Sequence, residues 1–384
     1  MDGGNSVEGS KELLTIPEVL SRLHISRSTF DRWRHHRQLP YYKIGRDIFV
    51  HQEELRDWVL RQRHGQHEVT PVVIGIQTHT AQTWSGLIIK ELRLLETELS
   101  AIRKDSVSVI WENADSGLDL LEGMIQGRVH LAYLGDYPIA VGYKLSTLLH
   151  RFRLVLLAFD GKSEGGRGIA VLTRSNSKPF ESRNLTVVTV PRSSAEHRLN
   201  RFVKDMGVSN IQVNYCTMSD GMHLITRQTL VAGCMWEPFP TLMQHLGTGQ
   251  VIWEESRGQD YLTGLVTSHE WMTNNSSLIY AYLKAQLRAH DLMRTNPERM
   301  ARVLSKSLGL PSQVIYQILT KTRWDAGIYS RDLQTLNMIG HSMFDEKNME
   351  GIVVMDYLAE AARDMGLQDP RKACLDDWTS RELY

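Results

Sequence analysis

From residue 72 onward the sequence alternates short apolar runs with longer amphipathic segments, and no other feature restricts the fold so strongly. The runs "VVIGIQT" and "VSVIWEN" predict buried strands, and "WSGLIIKELRLLETEL" and "SGLDLLEGMIQG" predict the helices that follow them. "VHLAYLGDYPIAVG" repeats the pattern with a third strand and the start of a helix. Strands that alternate with helices form a largely parallel sheet. We therefore expect residues 72–384 to form an α/β domain.

A second set of strands begins near Gly168 and predicts a second lobe of this domain. Its strands are expected in "GIAVLTR", "LTVVTV", "IQVNYCT" and "LVAGCM", and its helices in "SSAEHRLNRFVKDMG" and "GMHLITRQ". The runs "VIWEESR" and "LTGLVTS" are expected to carry the chain back to the first lobe. Residues 276–366 have a mostly helical pattern.

Residues 12–63 differ from the rest and are typical of a small helix-turn-helix module. Thr15 is predicted to cap a first helix, with Glu18 at the capping-box spacing. Ser26 is predicted to cap a second helix, and two short helices about three residues apart make a helix-turn-helix. "YYKIGRDIFV" predicts a hairpin, and a closing helix is expected after it.

The module carries a local positive charge that the whole chain lacks. Between residues 22 and 46 there are seven basic residues and one acid, Asp31, although the formal net charge of the chain is zero. Such a local excess suits contacts with phosphates, which supply most of the affinity of DNA-binding modules. We therefore predict that the module binds double-stranded DNA.

The strings "LLTIPEVLSRLHISRSTFDRW", "YYKIGRDIFV" and "HQEELRDWV" resemble the winged helix-turn-helix of excisionase and MerR type. The resemblance implies that the second helix enters the major groove and that the hairpin grips phosphates or the minor groove. The residues assigned to DNA contact are Ser26, Arg27, Ser28, Thr29, Arg32, Arg34, Lys43 and Arg46.

Polar and aromatic residues follow five of the predicted elements of the large domain, at the strand ends where open α/β sheets bind ligands. These stretches are residues 78–84, 115–117, 135–138, 191–194 and 236–239. We expect them to form one cleft. The residues predicted to contact a ligand are Thr78, His79, Thr80, Gln82, Trp84, Ser116, Gly117, Asp136, Tyr137, Arg167, Ser193, Ser194, Trp236 and Glu237.

The order of these loops resembles the periplasmic substrate-binding protein family for nitrate, sulfonates, taurine and thiamine-type pyrimidines. The resemblance rests on "SGLDLLEGMIQGRVHLAYLGDYPIAVG", "PRSSAEHRL" and "WEPF", and it covers about residues 72–345. The Asp-Ala pair that usually precedes the last motif is replaced here by "LVAGCM". The resemblance implies a two-lobed, hinged domain of type II that closes around a small molecule.

The predicted ligand is a small oxoanion that resembles a sulfonate, nitrate or carboxylate. Ser193 and Ser194 begin a helix directly after a strand, where the backbone N–H groups and the helix dipole favour an anion. In the alternative reading, Ser193 only caps its helix. Asp136 and Glu237 suit an amino group of the ligand equally well, so a zwitterionic ligand is an open alternative to a simple oxoanion. For Glu237, pairing across the hinge and facing the ligand are both open.

Several function classes lack their motifs in this chain. There is no P-loop, G-x-G-x-x-G, H-E-x-x-H or nucleophile elbow, and the three cysteines have no zinc-site spacing. His64 and His67 have no third metal ligand near them. We expect no metal or cofactor. The first 11 residues are Gly- and Ser-rich, which predicts disorder, and they lack the features of a signal peptide.

Together these features favour a cytoplasmic one-component transcriptional regulator that senses a ligand, without enzyme activity. We also expect a homodimer or larger oligomer, because single modules of this size bind DNA weakly. A LysR-like regulator is a near alternative, but only about ten polar residues, including a linker at 64–71, follow the module in place of a long helix. A cytosolic enzyme or scaffold that kept the binding-protein fold is an alternative of another class.

Overall fold

A computed structural model describes residues 13–23, 25–36, 39–44, 47–63, 71–102, 107–177, 185–207, 211–227, 231–254, 260–344, 350–373 and 377–378. The chain divides into two compact units, Met1–Thr70 and Pro71–Tyr384. The disorder predicted for residues 1–11 and nearly all of the predicted linker, residues 64–70, lie outside the described residues.

The described residues of the first unit form three helices and one small antiparallel sheet. Its elements are β1 (Leu13–Thr15), α1 (Ile16–Leu23), α2 (Arg27–His36), β2 (Tyr42–Ile44), β3 (Asp47–His51) and α3 (Gln52–Arg63). The strand order is β1-β3-β2, so the predicted hairpin forms the middle and one edge of the sheet. A core that includes Val19, Phe30, Val50 and Trp58 holds the helices against the sheet.

The predicted cap of the second helix is present, and at the first helix the Glu18 half of the predicted capping box forms. The Glu18 carboxylate accepts hydrogen bonds from the backbone N–H of Thr15 at 2.6 Å and from its hydroxyl at 2.7 Å. Ser26 Oγ accepts from the backbone N–H of Thr29 at 3.2 Å. These bonds satisfy N–H groups that have no intrahelical partner, and they fix where α1 and α2 begin.

The second unit begins with alternating strands and helices that belong to its first lobe. These elements are β4 (Val72–Ile76), α4 (Ser85–Glu91), α5 (Leu94–Ile102), β5 (Val109–Asn113), α6 (Gly117–Ile125), β6 (Leu131–Gly135), α7 (Asp136–Leu148) and β7 (Leu154–Ser163). The single helix predicted by "WSGLIIKELRLLETEL" is therefore wrong. The segment forms two helices, and between them Arg93 has a positive φ of 53° that no continuous α-helix allows.

The second lobe follows directly after a crossover at residues 164–168. Its elements are β8 (Ile169–Arg174), β9 (Leu185–Thr189), α8 (Ser194–Asp205), β10 (Ile211–Tyr215), α9 (Met218–Arg227), β11 (Val231–Trp236), α10 (Phe239–His245) and β12 (Gly249–Glu254). The strand of "VIWEESR" is β12 and remains in this lobe, so it does not return the chain to the first lobe.

The chain then returns to the first lobe and completes it with helices. The elements are β13 (Tyr261–Ser268), α11 (His269–Asn274), α12 (Ser276–Thr295), α13 (Pro297–Leu308), α14 (Ser312–Lys321), β14 (Arg323–Trp324), α15 (Ser330–Phe344), α16 (Asp356–Asp364) and α17 (Pro370–Ala373). No helix among the described residues is long and apolar enough to span a lipid bilayer.

Each lobe has its own mixed sheet. The first lobe has the strand order β14-β7-β13-β6-β4-β5, and the second has β10-β9-β11-β8-β12. Strands β4, β5 and β6 are parallel, as are β9, β10 and β11, whereas β7, β8, β12 and β13 next to the crossovers pair antiparallel. This arrangement confirms the predicted α/β fold with two lobes.

The crossover from β7 to β8 packs closely against the loop that follows β4. Gly168 has a φ of +94°, and a Cβ atom there would lie 2.6 Å from Gln82 Nε2. Glycine is required at this point because any side chain would clash and the backbone is left-handed. The close contact holds the crossover between the lobes against the first lobe.

Candidate functional site

A small cavity lies where the loops at the carboxyl ends of the strands of both lobes meet. Its volume is about 20 Å³, close to the space that one water molecule needs. Six of the predicted ligand residues line it: Thr80, Ser116, Gly117, Ser193, Ser194 and Trp236. The structure therefore brings six of the fourteen predicted ligand residues together around one small cavity.

Two helix N-termini from opposite lobes border this cavity. Ser116 caps α6, because its Oγ accepts from the backbone N–H of Leu118 at 3.1 Å. Ser193 caps α8 by accepting from the N–H of Glu196 at 3.3 Å, and its hydroxyl donates to the carbonyl of Val190 at 2.7 Å. Helix N-termini carry positive potential, so both ends favour an anion in the space between them.

A buried ion pair joins the lobes beside the cavity. Asp136, the first residue of α7, accepts from Arg198 Nη2 at 2.9 Å and from Ser194 Oγ at 2.6 Å. Arg198 lies on α8 in the other lobe, and both side chains are fully buried. Ser194 can reach Asp136 because Gly135 has no Cβ, which would lie 3.0 Å from Ser194 Oγ.

The Asp136–Arg198 pair corrects one expectation from the sequence. The open alternative was that Asp136 receives an amino group of a ligand, but its carboxylate is enclosed and already pairs with the guanidinium of Arg198. Arg198 is not among the residues predicted from the sequence. Its signal was the spacing of four residues from Ser194, which places both on one face of α8.

Four other predicted residues lie near the cavity without lining it. Trp84 is fully buried, and its indole N–H donates to the Thr78 carbonyl, so it belongs to the core and forms no cleft wall. The backbone N–H of Thr78 donates to Asn113 Oδ1 at 3.0 Å. His79 is exposed, with Nδ1 4.0 Å from the Asp115 carboxylate. Tyr137 is partly buried, and burial raises the pKa of its hydroxyl.

The remaining three predicted residues, Gln82, Arg167 and Glu237, line a different and larger cavity. The Arg167 guanidinium is exposed and pairs with Glu164 at 2.8 Å. Gln82 is fully buried, and its amide N–H donates to Ser163 Oγ at 3.2 Å. The structure therefore separates residues that the sequence analysis assigned to one cleft.

Glu237 stabilises the start of α10 with its side chain and the contact between the lobes with its backbone. Its carboxylate accepts from the hydroxyl of Thr241 at 2.7 Å and from its N–H at 3.1 Å. Its backbone N–H donates to Gly168, and its carbonyl accepts from Ala81 in the first lobe, both at 2.9 Å. Burial raises the pKa of the carboxyl to about 7, although the bonds from Thr241 lower it. The bridge between the lobes is thus made by backbone atoms, while the side chain caps a helix.

The other candidate surface lies on the first unit. On α2, Asp31 pairs with Arg27 Nε at 3.3 Å and with Arg34 Nη2 at 3.5 Å. The Arg34 guanidinium also lies over the ring of Tyr41. Lys43 on β2 is exposed.

Of the remaining predicted DNA contacts of this unit, the structure describes some side chains and not others. Ser28 is exposed and Thr29 is partly exposed, and the hydroxyls of both lie 2.9 Å from Ser26 Oγ, the cap of α2. The side chain of Arg32 and the whole of Arg46 lie outside the described residues. The structure thus places four predicted contacts, Arg27, Ser28, Thr29 and Arg34, on α2.

Comparisons with known proteins match each unit separately. Residues 13–63 match the family described as a helix-turn-helix domain. A sequence relative from Escherichia coli, named for the binding of aliphatic sulfonates, is 22% identical over 238 residues, which are 61% of this chain and 72% of that protein. The 238 matched residues are far more than the helix-turn-helix region contains, so most of this match lies in the large unit.

Solved structures show the same fold for the large unit. The alkanesulfonate-binding protein of Xanthomonas axonopodis pv. citri, bound to MOPS, covers 74% of this chain and 98% of its own, with 15% identity and a TM-score of 0.60. The periplasmic nitrate-binding protein of Synechocystis PCC 6803 covers 78% and 89%, with 14% identity and a TM-score of 0.59. Both resemblances predicted from the sequence are confirmed: an excisionase-type helix-turn-helix domain is joined to a binding-protein fold.

Proposed function

We propose that this protein is a one-component transcriptional regulator. Residues 13–63 bind operator DNA, and the large unit senses a small oxoanion. The observation that carries the proposal is the presence of a helix-turn-helix domain and a binding-protein fold in one chain. A receptor that only delivers a solute to a transporter has no use for a DNA-binding domain, whereas a regulator needs both parts. We accordingly place the protein in the cytoplasm.

The small cavity between the lobes is the proposed ligand site. The N-termini of α6 and α8 supply N–H groups and positive potential from opposite sides, and Thr80 and Trp236 complete the wall. This environment favours an oxoanion over a neutral sugar. Relatives named for sulfonates and nitrate support the same class. Since these relatives are named for binding, we propose that the domain binds its ligand without converting it.

Ligand entry requires the lobes to move apart. The cavity has a volume of about 20 Å³, which is too small for a sulfonate with a carbon body. Among the described residues, the contacts that hold the lobes together include the Asp136–Arg198 pair, the backbone bond from Ala81 to Glu237 at 2.9 Å, and the bond from Trp236 Nε1 to the His79 carbonyl at 2.8 Å. We propose that the ligand changes the spacing of the lobes and that this change is the regulatory signal.

A thermal-shift screen of the full-length protein tests the ligand class. Alkanesulfonates, nitrate and small carboxylates are compared with uncharged sugars and with cations. A true ligand at a hundred times its dissociation constant adds about 2.7 kcal/mol to the free energy of unfolding. If only sugars or cations stabilise the protein, the oxoanion assignment is wrong.

Variants then locate the site. Ser194→Ala and Trp236→Ala should each weaken binding of the confirmed oxoanion at least tenfold, because both residues line the cavity. Ser100→Ala, an exposed serine on α5, is the matched control and should bind as the parent protein does. Unchanged affinity in the two cavity variants would move the site elsewhere.

The regulatory part of the proposal needs a DNA experiment. An operator is selected from a random duplex library with the full-length protein, and its dissociation constant is measured by fluorescence anisotropy with and without the oxoanion. We expect selective binding that the oxoanion changes. If the protein binds no duplex selectively, it is not a regulator of this kind. The same holds if a confirmed ligand leaves its dissociation constant for the operator unchanged.

A further inference from the structure

A second cavity of about 590 Å³ lies between the lobes, on the other side of the contact between residues 79–81 and residues 236–237. Cavities of roughly 300–1,000 Å³ are the usual size for small-molecule sites. No described residue lines both cavities. Its walls are residues 237–244 of the second lobe and residues 320–323 of the first lobe, and the crossover after β7 forms its base.

The two walls of this cavity carry opposite charges. The second lobe contributes the carboxylates of Glu237 and Glu254, and the first lobe contributes Lys321 and Arg323. Arg323 is already held by Asp325 at 2.5 Å. Lys321 and Glu254 are exposed at the rim, and neither forms an ion pair with another described residue. One cation and one anion on facing walls are therefore available to a ligand.

The inner end of the cavity is polar and buried. Gln82 is fully buried there, and its Oε1 accepts no hydrogen bond from the described residues. Lys162 is also fully buried, but it is committed to Asp332 at 2.5 Å and to the Gly327 carbonyl at 2.7 Å. A buried acceptor without a donor is unfavourable, so this end of the cavity is polar but is closed to a ligand in this arrangement of the lobes.

We propose that this second cavity binds a small amino-acid-type zwitterion, separately from the oxoanion cleft. Its ammonium group contacts the carboxylates of Glu237 and Glu254 on one wall, and its carboxylate contacts Lys321 on the other. A ligand with only one charge would satisfy one wall and leave the other without a partner. Because the walls come from different lobes, a bound zwitterion also bridges them and favours the closed arrangement. This site does not depend on the proposed regulatory function.

Calorimetry on the full-length protein tests the charge requirement. Glycine, β-alanine and γ-aminobutyrate vary the distance between the two charges, and propionate and propylamine carry one charge each. We expect at least one zwitterion to bind at least tenfold more tightly than both single-charge compounds. If none does, or if propionate or propylamine binds as tightly, the proposal fails.

Substitutions at the rim test the location without disturbing the core. Lys321→Ala and Glu254→Ala should each weaken binding of the best zwitterion about tenfold, and Lys321→Arg should retain most of it. Lys306→Ala and Glu270→Ala remove exposed charges elsewhere and are the matched controls. Equal affinities in the rim variants and the controls would overturn the site.

A cleft variant separates this proposal from the proposed function. Ser194→Ala should impair oxoanion binding and leave zwitterion binding unchanged, because Ser194 lines only the small cavity. A zwitterion that is lost with Ser194→Ala and retained with Lys321→Ala binds in the cleft, and the second site then does not exist. If neither the parent protein nor any variant binds an oxoanion while the zwitterion still binds, only the proposed oxoanion ligand is refuted.

Discussion

Glu237 is a residue whose negative charge is costly to the folded protein. Burial raises its pKa from 4.5 to about 7, while nearby Lys321 lowers it and Glu254 raises it. The folded state therefore holds the proton more strongly than the unfolded state. The stabilising effect of the protonated carboxyl is complete below pH 4.5 and is lost as the pH rises through about 7.

This linkage predicts a pH-dependent difference between the parent protein and Glu237→Gln. Between pH 5 and 8 the parent should lose up to about 3 kcal/mol of unfolding free energy relative to the variant, because one unit of pKa shift corresponds to about 1.4 kcal/mol. Denaturant unfolding at both pH values measures it, and the exposed Glu270→Gln is the control. Parallel pH profiles of the parent and Glu237→Gln would contradict the burial of this carboxyl.

Asp136 and Arg198 stabilise each other in the same way that any buried ion pair does. Removing one partner leaves a charge enclosed without compensation, at a cost of about 3–5 kcal/mol. Arg198→Met should therefore be strongly destabilising, and Asp136→Asn combined with Arg198→Met should cost much less than the sum of the single changes. A double-mutant cycle by urea unfolding measures the coupling. Additive effects would show that the pair does not join the lobes energetically.

At the scale of elements, α2 and the β2–β3 hairpin are expected to contact DNA in different ways. Arg27 is exposed on α2, so Arg27→Ala should relax base discrimination in binding to a selected operator. Lys43 on the hairpin is expected to contact phosphate only. Lys43→Ala should weaken binding to all DNA sequences alike and reduce the slope of log affinity against log salt concentration by about one. Equal loss of discrimination in both variants would contradict this division.

Elements also show what could be read from the sequence and what could not. The caps at Ser26 and Ser193 and the bond from the Thr15 N–H to Glu18 were predictable, because each of these contacts joins residues three positions apart. The division between two cavities was not. Trp236 and Glu237 are adjacent at the end of β11, yet Trp236 lines one cavity and Glu237 the other. Neighbours at a strand end face opposite sides, and no sequence pattern says which side meets a cleft.

Strand β7 shows a second limit of local reasoning. The sequence analysis did not identify it, although all ten of its residues are buried. Its second half contains Asp160 and Lys162, which resemble loop residues when read locally. Their partners are His290, 2.6 Å from Asp160, and Asp332, 2.5 Å from Lys162. Both partners come from helices more than a hundred residues later, so only the folded chain shows that these side chains have hydrogen-bond partners.

At the scale of the whole molecule, the proposed function is a coupling between DNA affinity and oxoanion affinity. If the oxoanion changes the dissociation constant for the operator by some factor, the operator must change the dissociation constant for the oxoanion by the same factor. We expect that factor to lie between about 5 and 150, the usual range for coupled sites. In the proposed function, the open and closed arrangements of the lobes are the two states that such a coupling needs.

The cycle is measured in both directions on the full-length protein. Anisotropy gives the operator affinity with and without saturating oxoanion, and calorimetry gives the oxoanion affinity of the free protein and of the complex with operator. Ser194→Ala, which should bind the oxoanion at least tenfold more weakly, must keep its operator affinity and need at least tenfold more oxoanion for the same response. Two factors that both equal one would mean that the ligand and DNA sites act independently, and the large unit would then be a binding domain without a regulatory role.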